Sequence, residues 1–207
     1  MKALHIDCSP RESSHSRQLS AAMLDRIGEL VPITSVTRRD LGHDPIPHHG
    51  NDYGTALSSV AGLMSADPQA FGLSETLIAE VESSDVIVIG TPMNNFTVPS
   101  NLKAWIDQLL RVGRTIIPTA DGGKIGALPD RPVLVGIASG GVFAGERANQ
   151  PDFLTPYLTA ALGCVGINSV HFFQVQATAF VDLATINAAR ADQVALIETS
   201  MLTPSRQ

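Results

Sequence analysis

The sequence predicts a doubly wound α/β fold, in which a five-stranded parallel sheet of order 2-1-3-4-5 carries helices on both faces. Residues 86–89 and 132–138 are almost uninterrupted apolar runs. Such runs are typical of strands that are buried on both faces of a parallel sheet. Segments with apolar residues at helical spacing lie between the strand-like segments, and this repeated alternation also favours a parallel sheet. Five strands, rather than six, favour the order 2-1-3-4-5.

Each predicted strand is a short apolar or β-branched run bounded by glycine, proline or polar residues. The predicted strands are residues 2–7, 33–37, 86–89, 132–138 and 170–175. Pro10 separates the first strand from the helix that follows, because proline cannot donate to a strand ladder. The Gly-Thr-Pro triplet at 90–92 is expected to break the third strand. The stretch 112–126 contains several glycines and polar residues and is predicted to be a loop or a hairpin.

Helices are predicted where apolar residues recur every three or four positions. The predicted helices begin near residue 16, cover 56–64 and 73–81, begin again at 100, and cover 153–162 and 184–202. Ser74 is interpreted as the cap of the helix over 73–81. Apart from the short helix over 56–64, residues 40–72 form a long irregular segment, which is typical of a functional cover or an interface arm.

Composition and charge exclude several classes of function. The chain has 207 residues, 44% of them hydrophobic, which suffices for one domain that we expect to span 1–207. The net charge of −6 argues against nucleic acid or an anionic membrane as a partner. No apolar run reaches membrane-spanning length, and no secretory signal is expected before the first strand. We therefore expect a cytoplasmic protein.

The two cysteines do not predict a disulfide or a redox motif. Cys8 and Cys164 are far apart in sequence and neither belongs to a Cys-x-x-Cys spacing. Cys8 lies at the end of an apolar strand, which favours a buried free thiol. The alternative is a reactive thiol beside a ligand site.

We predict no metal site. The candidate ligands nearest one another in sequence lie in one polar segment: His43, His48 and His49, with Asp40, Asp44 and Asp52. Their spacing matches no recognised zinc motif, so a solvated loop is favoured. His5 and His171 lie in predicted strands and are interpreted as structural residues.

The loop after the first strand is rich in hydroxyl groups and leads into a helix. Ser9, Ser13, Ser14 and Ser16 offer hydroxyls, and the helix start offers free backbone amides where the helix dipole favours an anion. A phosphate therefore fits there, with Arg11 and Arg17 close in sequence. The alternative is that Ser14 or Ser16 only caps the helix. Neither the Walker A motif nor Gly-x-Gly-x-x-Gly is present, which favours a mononucleotide over a dinucleotide.

The loop after the third strand, residues 92–96, combines two amides, a thioether and an aromatic ring. Met93, Asn94, Asn95 and Phe96 could together line the edge of a flat heteroaromatic ring. Alternatively, the two asparagines form a turn while Met93 and Phe96 belong to the core.

The loop after the fourth strand contains Ser139, Gly140 and Gly141. A glycine pair permits close approach of the backbone to a ligand, and its amides could contact a ring carbonyl. The alternative is a tight turn. Ser139 is a weak nucleophile candidate, because Ile137 stands where a Gly-x-Ser-x-Gly elbow requires glycine. In the order 2-1-3-4-5, strands 1, 3 and 4 are neighbours, so the three loops are expected to meet at one edge of the sheet.

At these positions the chain resembles the flavodoxin-like family of FMN-dependent NADH azoreductases, or NADH:quinone oxidoreductases. Nearly the whole chain shares the resemblance, and the Pro-Met-x-Asn-Phe block with its following helix is its most specific part. The matching segments are residues 9, 14–20, 40–41, 45–47, 84–89, 92–96, 102–107, 113–115, 140–141, 155–158 and 163–167.

The resemblance implies a tightly bound FMN held by all three loops. The residues implied to bind it are Ser9, Ser14, His15 and Ser16 at the phosphate and ribityl end, Met93, Asn94, Asn95 and Phe96 at the isoalloxazine, and Ser139, Gly140 and Gly141 at the pyrimidine side. We add Arg11 and Pro92 to the predicted cofactor-binding residues, since Arg11 places a positive charge in the serine-rich loop and Pro92 belongs to the loop over 92–96. It also implies a homodimer in which the partner completes each flavin site, and the segment 42–72 is the candidate for that role.

The implied reaction is a ping-pong transfer of two electrons from NADH or NADPH to a quinone or an azo compound, with no obligatory catalytic side chain. Two positions depart from the family. Asn94 stands where an aromatic is frequent, and Ser139 precedes the glycine pair where an arginine is frequent. The alternatives are a flavodoxin-type electron carrier without NAD(P)H turnover and a flavin-free mononucleotide-binding domain.

Overall fold

A computed structural model describes residues 1–59 and 67–204 of the chain. Its strands are β1 (Lys2–Asp7), β2 (Ser35–Asp40), β3 (Val86–Pro92), β4 (Ile116–Pro118), β5 (Lys124–Gly126), β6 (Val133–Ala138) and β7 (Val170–Val175). Five of them form a parallel sheet in the order β2-β1-β3-β6-β7. This is the expected order 2-1-3-4-5 once β4 and β5, which pair only with each other, are left out of the numbering. Of the loop and the hairpin that were both considered for residues 112–126, the structure has the hairpin, formed by these two antiparallel strands.

Six α-helices of the described residues accompany the strands. They are α1 (His15–Leu30), α2 (Asn51–Leu57), α3 (Gly72–Glu82), α4 (Ser100–Leu109), α5 (Thr155–Cys164) and α6 (Leu183–Ala195). Short 3-10 helices occupy Pro68–Phe71 and Thr199–Leu202.

The sheet separates two apolar layers, as expected for a doubly wound fold. Val86 and Val88 of β3 pack on the side that holds the buried faces of α1 and α6. Ile87 and Ile89, the alternate residues of the same strand, pack on the side that holds α3, α4 and α5. All four side chains are fully buried, which explains why this segment of the sequence has no polar face.

Glycines in the central strands allow α1 to lie close to the sheet. A Cβ atom at Gly136 would lie 2.9 Å from the side chains of Leu19 and Met23, and one at Gly90 would lie 2.4 Å from Ser20 Oγ. Because α1 crosses β3 and β6 at these glycines, its N-terminus is held at the carboxyl edge of the sheet.

Several expected boundaries are wrong. The second strand was expected at 33–37 but lies at Ser35–Asp40, because its register is set by pairing with β1 and its exposed residues carry no apolar pattern. The third strand continues through the expected break at 90–92, since Gly90 to Pro92 pair with Gly136 to Ala138.

The last helix is shorter than the predicted 184–202. It ends at Ala195, where Leu196 and Ile197 bond to the carbonyls of Gln193 and Val194 and the chain turns. Ile197 is fully buried, so the segment after the helix points into the core rather than continuing along the helix axis.

Two further expectations concern the region before β3. A helix was expected over 56–64, whereas α2 ends at Leu57 and residues 60–66 lie outside the described residues. Ser74 is not a cap, since it lies inside α3 and donates its hydroxyl to the carbonyl of Gln108 at 2.7 Å. It joins α3 to α4 instead.

Candidate functional site

The three loops singled out in the sequence lie side by side. Strands β1, β3 and β6 are neighbours, and backbone hydrogen bonds continue beyond the strand ends. Cys8 N–H donates to Gly90 O at 2.9 Å and Met93 N–H donates to Ala138 O at 2.9 Å. Residues 9–16, 92–96 and 139–141 therefore share one edge of the sheet, where α/β proteins commonly bind ligands.

The serine-rich loop is ordered by its own hydroxyls. Ser14 is the N-cap of α1, and its Oγ accepts from Ser16 N–H at 3.3 Å and lies 2.9 Å from Ser16 Oγ. Ser9 Oγ accepts from Arg11 N–H at 3.3 Å. The capping interpretation is thus confirmed for Ser14. Capping and anion binding are compatible here, because a helix start carries more N–H groups than one cap can satisfy.

Arg17 connects this loop to Asp40 at the end of β2. Its Nε donates to the carbonyl of Ser9 at 2.8 Å, and its terminal nitrogens bind both carboxylate oxygens of Asp40, one at 2.9 Å. Hydrogen bonding from Arg17, followed by that from His43, holds the pKa of Asp40 well below its ordinary value. The Arg17 guanidinium is engaged by protein atoms, so its role is to fix the loop rather than to bind phosphate directly.

The end of β2 presses against the same loop. Gly42 lies so close to it that a Cβ atom would be 2.1 Å from Ser9 O. His43 contacts both Asp40 and the carbonyl of Pro10, the latter at 3.1 Å. The position of the serine loop is therefore set by residues that are distant in sequence.

Arg11 and His15 are the groups at this helix start that are left for a ligand. The Arg11 side chain is exposed and has no hydrogen-bond or ion-pair partner in the described part of the chain. His15 Nδ1 is buried and, among the same residues, makes no hydrogen bond. Burial, and then the positive charges of Arg11 and Arg190, lower the pKa of His15. An unpaired polar atom in a positively charged helix start suits an anion such as a phosphate.

The loop after β3 forms a tight turn with unusual backbone angles. Asn94 and Thr97 exchange two backbone hydrogen bonds of 3.0 Å, and the central residues Asn95 and Phe96 have φ values of 47° and 73°. The turn interpretation is thus correct, although the turn centres on Asn95 and Phe96. Met93 is buried in the core as the same interpretation stated, whereas Phe96 is 43% exposed. A positive φ at phenylalanine is strained, and such residues cluster at functional sites.

A cavity of about 430 Å³ adjoins this turn. Its lining includes Asn94, Asn95, Val98, Lys103 and Tyr157. The side chains of the two asparagines make no hydrogen bond within residues 1–59 and 67–204. Both amides are therefore free to bind a ligand at this edge.

The glycine pair presents its backbone to the same edge. Neither Gly140 N–H nor Gly141 N–H has an acceptor in the described segments. Their carbonyls accept from Ala179 and Ala177 of the loop after β7, which fixes their orientation. Ser139 is buried, and its Oγ accepts from Gln150 Nε2 at 3.0 Å.

Sequence reasoning missed two residues that hold the loops together. Gln150 Nε2 lies 3.0 Å from Ser139 Oγ and 3.4 Å from Met93 Sδ. Asn101 Nδ2 donates to the carbonyls of Cys8 and Leu41, at 2.7 and 3.0 Å. Both are long-range contacts of ordinary polar residues, and the sequence carries no local pattern that marks them.

His5 of β1 and Cys8 at its end have structural surroundings. Cys8 is fully buried and free, as expected, and burial raises the pKa of its thiol. His5, also buried, lies 3.0 Å from Ser20 Oγ and 2.8 Å from an Arg38 nitrogen. No group of three potential metal ligands occurs among the residues that the structure describes. Within those residues, no helix is both long enough and apolar enough to span a bilayer.

Comparison with known proteins supports the same reading of the fold. A family model for the flavodoxin-like fold matches residues 1–198. FMN-dependent NADH:quinone oxidoreductase 4 of Pseudomonas fluorescens is 43% identical over 192 residues, which are 91% of each chain. FMN-dependent NADH:quinone oxidoreductase 5 of Burkholderia lata is 45% identical over 188 residues, 90% of each chain.

Solved structures share the architecture. The azoreductase of Bacillus anthracis strain Sterne aligns with a TM-score of 0.81 at 24% identity, covering 95% of this chain and 98% of that one. The FMN-dependent NADH-azoreductase of Bacillus anthracis strain Ames Ancestor, solved in complex with FMN, aligns with a TM-score of 0.77 at 23% identity and covers 94% and 97%. With its close sequence relatives and this fold, the chain belongs to the flavodoxin-like family that contains the FMN-dependent NADH:quinone oxidoreductases.

Proposed function

We propose that the chain is an FMN-dependent NADH:quinone oxidoreductase that also reduces azo compounds. The observation that carries the proposal is one edge of the sheet. It brings together the start of α1 with the unpaired Nδ1 of His15, two asparagine side chains and two glycine N–H groups, none of which has a partner among the described residues. The relatives at 43–45% identity are named FMN-dependent NADH:quinone oxidoreductases. When bound, FMN supplies reversible two-electron chemistry that no amino-acid side chain provides.

The serine loop would hold the phosphate end of the cofactor. Hydroxyls of Ser9, Ser14 and Ser16 line the start of α1, and His15 offers an unpaired ring nitrogen there. Arg11 adds a positive charge that no carboxylate of the described residues neutralises. Unpaired donors beside a charge suit a doubly charged phosphate, since charge-assisted hydrogen bonds are the stronger ones.

The two other loops would hold the ring. Residues 92–96 supply the Met93 thioether, the amides of Asn94 and Asn95, and the exposed ring of Phe96. Gly140 and Gly141 supply backbone N–H groups that have no acceptor in the described residues and no side chain that would obstruct them. Ser139 N–H already donates to Val175 O at 2.9 Å, so Ser139 would contribute its hydroxyl. Donors fixed in place before binding stabilise negative charge without reorganising. The protein thus orients the cofactor and excludes water, and we assign no side chain as a general acid or base.

We further propose a ping-pong scheme, in which NADH or NADPH and then a quinone or azo acceptor use the same site in turn. The cavity beside Asn94 and Tyr157 is a candidate place for part of these substrates. Asn94 is the position at which we expect acceptor preference to be set, because it is exposed beside this cavity. Asn94→Tyr introduces the aromatic that is frequent at this position in the family. This variant should change the ranking of acceptors while it still binds FMN.

We propose a single domain over 1–207 that forms a cytoplasmic homodimer, with segment 42–72 completing the partner's site. Two exposed aromatics favour a partner at the site. Phe96 is 43% exposed and Phe153 is 59% exposed, and Phe153 N–H bonds to Phe96 O at 2.9 Å. A second subunit would bury this surface. Light scattering after size-exclusion chromatography measures the mass in solution, and a monomer would contradict this part of the proposal.

The function is tested on the purified protein. We expect bound FMN, rapid bleaching of its absorbance on anaerobic addition of NADH or NADPH, and recovery when benzoquinone or an azo dye is added. Parallel double-reciprocal plots would support the ping-pong scheme. A protein with no affinity for FMN, or one whose bound FMN is not reduced by either nucleotide, contradicts the proposal; slow reduction by both nucleotides would indicate an electron carrier instead.

A further inference from the structure

The segment between the glycine pair and α5, residues 142–153, folds back across the edge of the sheet. Phe143 N–H and Ala144 N–H donate to Gln176 Oε1 at 2.7 and 2.9 Å, which fixes its start to the loop after β7. At its other end, Phe153 N–H donates to Phe96 O at 2.9 Å. The segment is therefore bonded to the loop after β7 at its start and to the loop after β3 at its end.

Gln150 is the residue of this segment that reaches both candidate ring-binding loops. Its Nε2 lies 3.0 Å from Ser139 Oγ and 3.4 Å from Met93 Sδ. On the other side of the carboxamide, Oε1 would lie 2.6 Å from a Cβ atom placed at Gly141. One neutral side chain thus touches all three of these residues, and the absence of a side chain at Gly141 provides the room for it.

We propose that Gln150 is a positioning residue that fixes the spacing of the loops at 92–96 and 139–141, and thereby sets how tightly FMN is held and how readily it is reduced. The inference rests on the proposed function. The carboxamide donates from one end while its oxygen lies against Gly141, and alanine can do neither. A carboxylate would remove the donor and add a negative charge in a half-buried place, where charges interact more strongly than in water. Negative charge there disfavours the addition of electrons nearby.

The test compares three variants with the wild-type holoenzyme: Gln150→Ala, Gln150→Glu and Arg147→Gln. Arg147 lies on the same segment, is exposed, and makes no hydrogen bond or ion pair with the described residues. Arg147→Gln and Gln150→Glu change the net charge by the same amount. Arg147→Gln is therefore the control for a general charge effect. Each protein is measured for FMN affinity by fluorescence titration, for reduction potential against reference dyes, and for kcat and KM.

We expect Gln150→Ala to weaken FMN binding about 3- to 10-fold, the range for losing one or two neutral hydrogen bonds. Gln150→Glu should lower the reduction potential and reduce kcat more than it raises KM. Arg147→Gln should match the wild type in affinity and potential. If Gln150→Ala does not fold, the near-isosteric Gln150→Glu makes the same comparison.

The proposal is overturned if every Gln150 variant that folds keeps the wild-type FMN affinity within two-fold and the wild-type potential. It is also overturned if Arg147→Gln shifts the potential as much as Gln150→Glu does. A wild-type protein that binds no FMN overturns the proposed function itself, which is a different result from wild-type-like Gln150 variants.

Discussion

Gly42→Ala tests whether the end of β2 positions the candidate phosphate loop. The added Cβ atom would lie 2.1 Å from Ser9 O, 2.4 Å from Ser9 C and 2.8 Å from an Arg17 terminal nitrogen. Contacts of a Cβ atom below 3.0 Å are essentially never found, so the two backbone segments must separate by about 1 Å. Because Arg17 binds both Ser9 O and Asp40, a separation of the two segments also strains the contacts that fix the serine loop.

The size of the effect follows from the cost of overpacking. Inserting a methyl group into a tightly packed place costs about 1–3 kcal/mol. If this free energy appears as lost FMN binding, at about 1.4 kcal/mol for each factor of ten, affinity falls about 5- to 150-fold. If part of it appears as lost stability, the unfolding midpoint falls by about 2–4 °C for each kcal/mol in a protein of this size.

Fluorescence titration of deflavinated protein with FMN measures the affinity, and thermal unfolding measures the stability. Gly28→Ala is the matched control, because Gly28 lies in α1 and its Cβ atom would meet only Ile33 Cδ1, at an ordinary 3.7 Å. It should leave FMN affinity unchanged and stabilise the helix by about 0.5–1 kcal/mol. A folded Gly42→Ala protein that binds FMN as tightly as Gly28→Ala does would refute the reasoning.

Three further predictions concern stability and reactivity. Arg17 holds the pKa of Asp40 below its usual 3.8, so the ion pair stabilises the folded protein by about 1 kcal/mol above pH 4, for a carboxylate that is 38% exposed, and this stabilisation is lost as the pH falls further and the unfolded chain binds more protons. The difference in unfolding midpoint between wild type and Asp40→Asn should therefore be about 2–4 °C at pH 6 and shrink toward pH 3. A difference that is independent of pH contradicts the ion pair. Cys8 is fully buried with a raised thiol pKa, so native Cys164→Ser protein should react with a disulfide reagent only after denaturation, and prompt reaction would place Cys8 at the surface. Trp105 is fully buried, so Trp105→Ala should lower the free energy of unfolding in urea by about 3–5 kcal/mol. Trp105→Phe should lower it less, because Trp105 Nε1 has no hydrogen-bond partner in the part of the chain that the structure describes. Equal losses for the two variants would show that this nitrogen matters.

The central strands could be predicted because burial on both faces leaves a plain mark in the sequence. All four residues of 86–89 are apolar and fully buried, and β6 has the same character. β2 is an edge strand with exposed polar residues such as Thr37 and Arg38, so its hydrophobic pattern could not place it. Its bounds come from pairing with β1, a contact between residues more than 30 positions apart.

The candidate site also has parts that the sequence could predict and parts that it could not. The topology of the sheet brings the three loops together, and local chemistry marks Ser14 as a cap and Gly140 with Gly141 as a place of close approach. The supports of these loops are pairs distant in sequence: Asn101 bonds to Cys8 across 93 positions, and Gln150 contacts Met93 across 57. Only the folded chain reveals such partners.

At the turn of Asn95 and Phe96, a substitution can raise the stability of this protein and lower its activity. A phenylalanine with positive φ costs about 1–2 kcal/mol relative to glycine, and Phe96 follows Asn95, which belongs to a residue type that adopts positive φ more readily. Phe96→Gly would recover that free energy and also remove exposed aromatic surface from the proposed ring site. A screen for thermostable variants should therefore select glycine at this turn, whereas a screen for turnover should reject it, as expected where activity and stability compete for one position.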